Sequence, residues 1–300
     1  MTGDHDHDHD HDAEGQPEFP PLSAQVQVEF GARSRGGRQR RTKTDHYLIV
    51  RLGRHQETLM TSLPRAQVPL PFDEFGYGML VADGLGDTES GEMASRLALR
   101  TFVYLSLLFG RWNLRIDERI AREVVERGER FFRQVDRVVT AQHGTERGSL
   151  EMQTTLTAAY SAGSDCFFAH VGHSRAYLHR GGKLAQLTRD HTRAAQASAR
   201  ERKLNGPSPG RDLKHILSQA LGARAASLKV DVEHFQLLDG DVVLLCTNGL
   251  TDMVDGPRIE AVLNRKAAPD EQCQTLVKMA LDAGGQDDVT VVIGRYRIPA

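Results

Sequence analysis

The sequence is poor in cysteine, with three in 300 residues. Cys166, Cys246 and Cys273 are an odd number, lie within apolar segments and show no CxxC spacing. Such a set argues against a disulfide framework and against a zinc site. Free cysteines are usually buried as small hydrophobic side chains, so we expect three reduced thiols in the core of a cytoplasmic protein.

Long apolar runs are also missing, since no stretch approaches the roughly 20 residues that cross a bilayer. The N-terminus has no apolar signal region. Neither sign of charge is in excess, because 38 basic and 40 acidic residues leave a net charge of −2. We therefore expect neither a membrane nor a nucleic acid as the partner of the chain. The hydrophobic content of 39% is ample for a buried core.

A tail rich in histidine and aspartate opens the chain. Its sequence MTGDHDHDHDHDAEGQPEFPP holds too little apolar surface to offset the entropy of folding. We expect a disordered tail over residues 1–30 and a single catalytic domain over residues 31–298. His5, His7, His9 and His11 can chelate transition metals, although a solvated linker is the simpler interpretation.

A basic segment, GARSRGGRQRRTKTD, follows the tail. Its closely spaced arginines form a positive patch that can bind a phosphate group, contact nucleic acid or remain solvated. Aromatic residues do not alternate with the arginines, and no nucleic-acid-binding motif surrounds them, which disfavours the second alternative.

Hydrophobic periodicity divides the rest of the chain into strands and helices. Strands are predicted in YLIVRLGRH, GMLVADG, TTLTAAYSAG, CFFAHVGHSRAYLHR, KLAQLT, LKVDVEHFQL, DVVLLCTNGL and DDVTVVIGRYRI. The run from Thr154 to Leu187 is expected to form a meander. Helices are predicted in SGEMASRLALRTFVYLSLLF, in IDERIAREVVERGERFFRQVDRVVTAQ and between Pro257 and Ala283. The polar stretch RDHTRAAQASARERKLNGPSPGRDLKH is expected to be a surface flap with some helix. Hairpins and helices in separate blocks predict a layered α+β domain.

The stretch VADGLGD places Asp83 at the end of an apolar strand between glycines. Gly84 and Gly86 allow a sharp turn that leaves the carboxylate and nearby carbonyls accessible, an arrangement that suits Mg²⁺ or Mn²⁺. Alone the motif is weak, because Asp-Gly is also a common turn dipeptide. Two further segments, CTNGLTD and AGGQDDVTVV, show the same pattern. In each, an apolar strand lies next to glycine and to a short polar side chain with an oxygen that can bind a metal.

Six blocks in order resemble the metal-dependent protein phosphatase family, also called protein phosphatase type 2C. They are RTKTDHY, VADGLGDTESGEMAS, TTLTAAY, HVGHSRAYLHRGGKLAQLTRDHT, LLCTNGLTDMV and GGQDDVTVVIG, within a similarity that spans Gly31 to Arg297. The resemblance implies a four-layer α-β-β-α sandwich of two antiparallel sheets flanked by helices. It also implies two Mn²⁺ or Mg²⁺ ions and a bridging water that attacks phosphoserine or phosphothreonine. Two such ions about 4 Å apart repel by on the order of 17 kcal/mol at an effective dielectric of 20, so several carboxylates must surround them.

The resemblance also implies roles for individual residues. Asp83 bridges both ions, the Gly84 carbonyl binds one of them, and Asp287 binds the other. Asp45 acts through water. Arg40 holds the substrate phosphate, or is a solvated charge among the other arginines.

Five positions depart from the family pattern. The metal-binding aspartates of two blocks are replaced by Asn248 and His173, and Thr44, Asp87 and Asp288 replace other residues of the motifs. Loss of a carboxylate ligand predicts weaker metal binding. His173 is either a hydrogen-bonded histidine or a ligand that favours manganese, zinc or iron. Asp288 can restore a charge near the site, although its side chain is expected on the other face of the strand.

The sequence therefore predicts a metal-dependent serine/threonine protein phosphatase. It is expected to be a monomeric cytoplasmic signalling enzyme that acts on phosphorylated proteins and opposes a serine/threonine kinase. The alternative is a pseudophosphatase that binds a phosphoprotein or another partner without turnover, because Asn248 and His173 replace family aspartates.

Overall fold

The structure, a computed structural model, describes residues 26–68, 71–86, 88–109, 116–142, 152–204, 213, 215–223 and 227–299. In chain order its strands are β1 (Gln27–Arg35), β2 (Asp45–Gln56), β3 (Phe72–Asp83), β4 (Leu156–Ala162), β5 (Asp165–Val171), β6 (Arg175–Arg180), β7 (Lys183–Gln186), β8 (Asp231–Gln236), β9 (Val242–Cys246) and β10 (Val289–Arg297). Its helices are α1 (Glu89–Phe109), α2 (Glu118–Ala141), α3 (Arg193–Leu204), α4 (Asn248–Thr251), α5 (Gly256–Leu263) and α6 (Pro269–Asp282).

The strands form two antiparallel sheets of five strands each. The first has the order β1-β10-β9-β6-β7, and the second has the order β2-β3-β4-β5-β8. Their facing sides share a core that includes Met79 and Val81 from the second sheet and Leu245, Val292 and Tyr296 from the first. The two sheets therefore pack face to face.

A helical layer covers the outer face of each sheet. Helices α1 and α2 bury Ala98, Phe132 and Val135 against the second sheet. Helices α5 and α6 bury Ile259 and Leu276 against the first. The predicted four-layer α-β-β-α sandwich is confirmed. Within the described residues, no helix has the length and apolar content that a membrane span requires.

Local sequence explains where these elements begin and why some are wholly buried. Helix α2 begins after Asp117, whose side chain accepts a hydrogen bond from the Ile120 amide at 2.7 Å, as expected for an N-cap. Strand β9 reads VVLLC and is buried along its whole length, because it is covered on both faces. The three cysteines are buried and unpaired, as expected.

The structure differs from the sequence predictions in two places. Strand β1 was not predicted, and it begins at Gln27, inside the segment assigned to the tail; Phe30 packs in the core between the sheets. Residues 1–25, with the His/Asp repeat, lie outside the described residues. The meander predicted from Thr154 to Leu187 is wrong, because CFFAHVGHSRAYLHR forms two strands, β5 and β6, that belong to different sheets.

Helices α1 and α2 do not fill the space above the second sheet. They leave a cavity of about 110 Å³, lined mainly by apolar groups that include Gly78, Phe102, Gly128, Phe131 and Val232. Small residues on both the strands and α2 account for the space.

Candidate metal centre

Two aspartates meet where β2 begins and β3 ends. The antiparallel register places Asp45 directly opposite Asp83. Both are buried, with 1% and 5% of their surface exposed. Like charges directly opposite each other on neighbouring strands repel, so ionisation of both carboxyl groups at this end of the sheet is unfavourable unless a cation binds nearby.

Burial perturbs both carboxyl groups. It raises the pKa of Asp45 to about 8. A hydrogen bond from the Thr247 hydroxyl lowers this pKa, whereas the charges of Asp288 and Asp287 raise it. Burial, followed by the charges of Asp45 and Asp287, also raises the pKa of Asp83 well above its usual value. Desolvated carboxylates of this kind are stabilised as anions when a cation binds among them.

Gly84 follows Asp83 in a tight loop against the start of α1. A Cβ atom on Gly84 would lie 2.0 Å from the Gly91 carbonyl oxygen. Only glycine therefore fits, and Gly86 adopts a positive φ of 82° two residues later. Asp87, the remaining departure in this motif, lies outside the described residues.

Arg40 contacts Asp287 directly. Its Nε and a terminal nitrogen lie 2.8 and 2.7 Å from Asp287 Oδ1. The structure thus brings together the predicted phosphate-binding arginine and a predicted metal ligand. In the part of the chain that is described, no three His, Cys, Asp or Glu side chains are gathered into a finished metal site.

Asp288 anchors the loop that carries Arg40. One of its oxygens accepts a hydrogen bond from the Gly37 amide at 2.9 Å, and the other accepts from the Thr44 amide at 2.6 Å. A longer contact of 3.3 Å comes from the Asp45 amide. The side chain thus binds the backbone of the β1–β2 loop, which gives it a positioning role. Thr44 contributes its amide to the same anchor.

Asn248 begins the short helix α4 after β9. Its amide nitrogen donates to Asp252 Oδ2 at 3.1 Å. Its Oδ1 is buried and has no hydrogen-bond partner among the described residues. An acceptor oxygen is therefore left open beside Thr247, whose hydroxyl donates to Asp45 Oδ2 at 2.7 Å.

His173 lies in the loop between β5 and β6. Its Nδ1 is 3.7 Å from Asp83 Oδ2, and this buried atom also lacks a hydrogen-bond partner in the described part of the chain. Burial lowers the pKa of His173 to about 4, despite the opposing charges of Asp190 and Asp287. The imidazole is therefore neutral at pH 7 and can act as a ligand.

The sequence did not single out three threonines that support the carboxylates. The Asp83 amide donates to the Thr155 hydroxyl at 3.2 Å, and the Thr154 hydroxyl donates to the Asp83 carbonyl at 2.8 Å. Thr247 binds Asp45 as described above. Each of these threonines follows or precedes an apolar strand. Threonine at the strand ends that also carry the aspartates was therefore the sequence feature that could have identified them.

The sequence profile of the protein phosphatase 2C family matches residues 73–282. The serine/threonine phosphatase stp of Listeria monocytogenes is 32% identical over 223 residues, which cover 72% of this chain and 82% of that protein. The chain therefore belongs to the protein phosphatase 2C family. The serine/threonine protein phosphatase PstP of Mycobacterium tuberculosis is 29% identical over 217 residues, or 72% of this chain and 39% of that protein.

Solved structures agree with this assignment. The catalytic domain of the serine/threonine protein phosphatase PstP, in complex with two manganese ions, superposes with a TM-score of 0.67. The two chains are 26% identical, with 91% of this chain and 99% of that one covered. The S. agalactiae serine/threonine phosphatase shares the fold, with a TM-score of 0.70 at 22% identity over 89% of this chain and 99% of that one.

The residues at this end of the sandwich fit divalent cations. Asp45 and Asp83 are buried, and the charge of the partly exposed Asp287 acts on both of them. Asn248 Oδ1 and His173 Nδ1 supply two further donor atoms without partners in the described part of the chain. Oxygen donors with one nitrogen suit Mn²⁺ and other transition metals better than Mg²⁺ alone.

Proposed function

We propose that this chain is a metal-dependent protein serine/threonine phosphatase that hydrolyses phosphoserine and phosphothreonine. The observation that carries the proposal is the buried carboxylate cluster, in which Asp45 and Asp83 have strongly raised pKa values and Arg40 lies alongside. Membership of the protein phosphatase 2C family supports it. Phosphorylated proteins are the proposed substrates, and a serine/threonine kinase is the opposing enzyme.

We assign the metal ligands as Asp83, the Gly84 carbonyl, Asp287 and the Asn248 side-chain oxygen. They would hold two divalent ions, Mn²⁺ or Mg²⁺. When bound, a pair of such ions makes water more acidic and neutralises the phosphoryl oxygens. The remaining roles belong to side chains of the protein.

Water is the proposed nucleophile, because the cysteines are unsuitable. Cys166, Cys246 and Cys273 are buried in the hydrophobic cores. Burial raises the pKa of Cys246 and of Cys273 to about 12 and raises that of Cys166 further. Thiols of this kind are inert.

Arg40 is proposed to bind the substrate phosphate. Its guanidinium now donates to a single carboxylate oxygen of Asp287. A phosphate offers the same planar group two acceptor oxygens, which is a stronger arrangement. A bound phosphate would therefore compete with Asp287 for the guanidinium of Arg40.

Asp45 is proposed to act through water. Its Oδ2 accepts the Thr247 hydroxyl at 2.7 Å, which fixes the orientation of the carboxyl group. Burial raises its pKa in the metal-free protein, and cations bound nearby would favour the carboxylate, which can accept a hydrogen bond from water.

The test is turnover of p-nitrophenyl phosphate and of a phosphothreonine peptide with Mn²⁺, with Mg²⁺ and with chelator. We expect metal-dependent turnover that Asp83→Asn abolishes. Asp73→Asn is the matched control, because Asp73 lies on the same strand with its side chain 56% exposed. Failure to turn over either substrate with any divalent metal would contradict the proposal.

The second candidate is a pseudophosphatase, and the neutral side chain of Asn248 at a family aspartate position is the observation that favours it. In that case the phosphothreonine peptide would bind, Arg40→Ala would weaken the binding, and no metal would produce turnover. Isothermal titration of the peptide alongside the activity assay separates the two functions.

A further inference from the structure

Three buried side-chain atoms lack a hydrogen-bond partner among the described residues: Ser161 Oγ, His173 Nδ1 and Asn248 Oδ1. Buried polar atoms are nearly always hydrogen-bonded, so each exception needs an explanation. Two of the three border the carboxylate cluster. His173 faces Asp83. Asn248 adjoins Thr247, the hydrogen-bond partner of Asp45.

The position of Asn248 is fixed by its neighbours. Its amide nitrogen is committed to Asp252, which leaves Oδ1 as the open end. A Cβ on the next residue, Gly249, would lie 2.0 Å from the Asp288 carbonyl oxygen and 3.4 Å from the Asp287 carbonyl carbon. Helix α4 is therefore packed directly on the backbone that carries Asp287.

The distance between His173 and Asp83 is informative. Nδ1 and Oδ2 are 3.7 Å apart, which is too long for a hydrogen bond. Two donor atoms that each bind one ion at about 2.1 Å lie roughly 3 Å apart at a right angle and roughly 3.4 Å apart at the tetrahedral angle. The observed separation is slightly longer than these values, so a small movement of the two side chains would let both atoms bind a common ion; the side chain of His173 is only 12% exposed.

We propose that His173 Nδ1 and Asp83 bind the same divalent ion, and that this nitrogen donor makes the centre select Fe²⁺, Co²⁺ or Zn²⁺ over Mg²⁺. The inference rests on the proposed function, because it assigns a further ligand to the same centre. Neutral side chains at 173 and 248 lower the negative charge available to a hard cation such as Mg²⁺. An imidazole nitrogen suits zinc, iron and other borderline metals.

The experiment measures metal binding directly, with Co²⁺ and Mg²⁺ as probes in isothermal titration of the full chain. Because histidines in the tail can also chelate transition metals, every protein compared carries serine at those positions (His5→Ser, His7→Ser, His9→Ser and His11→Ser). We expect Co²⁺ to bind at least about 100-fold more tightly than Mg²⁺. His173→Asn should weaken Co²⁺ binding by about 10- to 100-fold and leave Mg²⁺ binding unchanged. His173→Asp should reduce the ratio of the Co²⁺ affinity to the Mg²⁺ affinity.

A spectroscopic measurement identifies the donor atom. Pulsed electron paramagnetic resonance of Mn²⁺ bound to the same protein should show coupling to an imidazole nitrogen that disappears in His173→Asn. His55→Asn is the matched control, since that side chain is 63% exposed and its replacement should leave the nitrogen coupling intact. Circular dichroism verifies that both variants fold.

Equal affinities for Co²⁺ and Mg²⁺, or nitrogen coupling that survives in His173→Asn, would overturn the inference. These outcomes are independent of turnover. A chain that binds Co²⁺ through His173 and hydrolyses no phosphopeptide contradicts the proposed function alone. A chain that hydrolyses phosphopeptides but binds Co²⁺ equally tightly before and after His173→Asn contradicts this inference alone.

Discussion

Removing the Asp288 carboxylate should destabilise the fold and loosen the loop that carries Arg40. Asp288 is buried, with 1% of its surface exposed, and its two short hydrogen bonds, from Gly37 and Thr44, bracket Arg40 along the chain. Hydrogen bonds to a charged group contribute about 1.5–3 kcal/mol each. For Asp288→Ala we therefore expect a loss of about 3–5 kcal/mol in the free energy of unfolding, since water entering the space recovers part of the total.

Urea denaturation of the metal-free protein measures this loss, and titration with inorganic phosphate measures the effect on Arg40. Asp288→Asn keeps one acceptor oxygen and should lose about half as much stability, which provides a folded variant if Asp288→Ala is too unstable. Glu29→Ala is the control, because its half-exposed carboxylate forms one ion pair with Arg295 at 3.3 Å; such pairs contribute at most about 1 kcal/mol. If Asp288→Ala behaves like this control and binds phosphate normally, the anchoring role is wrong.

Three further predictions concern packing and pH. Gly128→Ala should raise the free energy of unfolding by about 0.5–1 kcal/mol in thermal denaturation, because Gly128 lies inside α2 and its added Cβ would meet Val232 at an ordinary 3.7 Å. Gly249→Ala should lower it by about 1–3 kcal/mol in the same assay, since its Cβ would lie 2.0 Å from the Asp288 carbonyl oxygen. Burial, and then the charge of His191, lower the pKa of His170 to about 3, whereas the unfolded chain takes up that proton near pH 6.5. Stability should thus fall as the pH drops below about 6.5, by about 2 kcal/mol at pH 5. Urea denaturation of His170→Gln should show a correspondingly smaller dependence, and an unchanged dependence would refute the assignment.

The strand ends that form the site could be predicted because their signal is local. An apolar run that stops at an aspartate next to glycine describes Asp83 without any knowledge of the rest of the chain. Strand β1 was missed because Arg33 and Arg35 made the segment look like a solvated basic patch, while only Val28, Phe30 and Ala32 pack toward the core. Its partner among the described strands, β10, lies at the far end of the sequence.

Features that depend on contacts between distant parts of the chain could not be predicted from the sequence. Strands β5 and β6 are only a short loop apart and have similar alternation, yet they join different sheets. The alternation of side chains along a strand was enough to place Asp288 on the other face of its strand. Its hydrogen-bond partners could not be predicted in this way, because Gly37 and Thr44 precede it by 251 and 244 residues. Similarly, the family motif identified His173 as a departure but left the role of this residue open. Only the coordinates show that His173 Nδ1 lacks a hydrogen-bond partner among the described residues and lies close to Asp83.

The pairing of β1 with β10 also bears on how the protein is made. The ribosome synthesises the chain from its N-terminal end, so β1 and the loop with Arg40 emerge long before Val289–Arg297. Among the described strands, Val289–Arg297 is the neighbour of β1 in its sheet. Until then β1 is an unpaired edge, which favours association with other nascent chains. Asp287 emerges just ahead of the same strand. The last residues to be synthesised therefore complete both the sheet that contains β1 and the group of aspartates at its end.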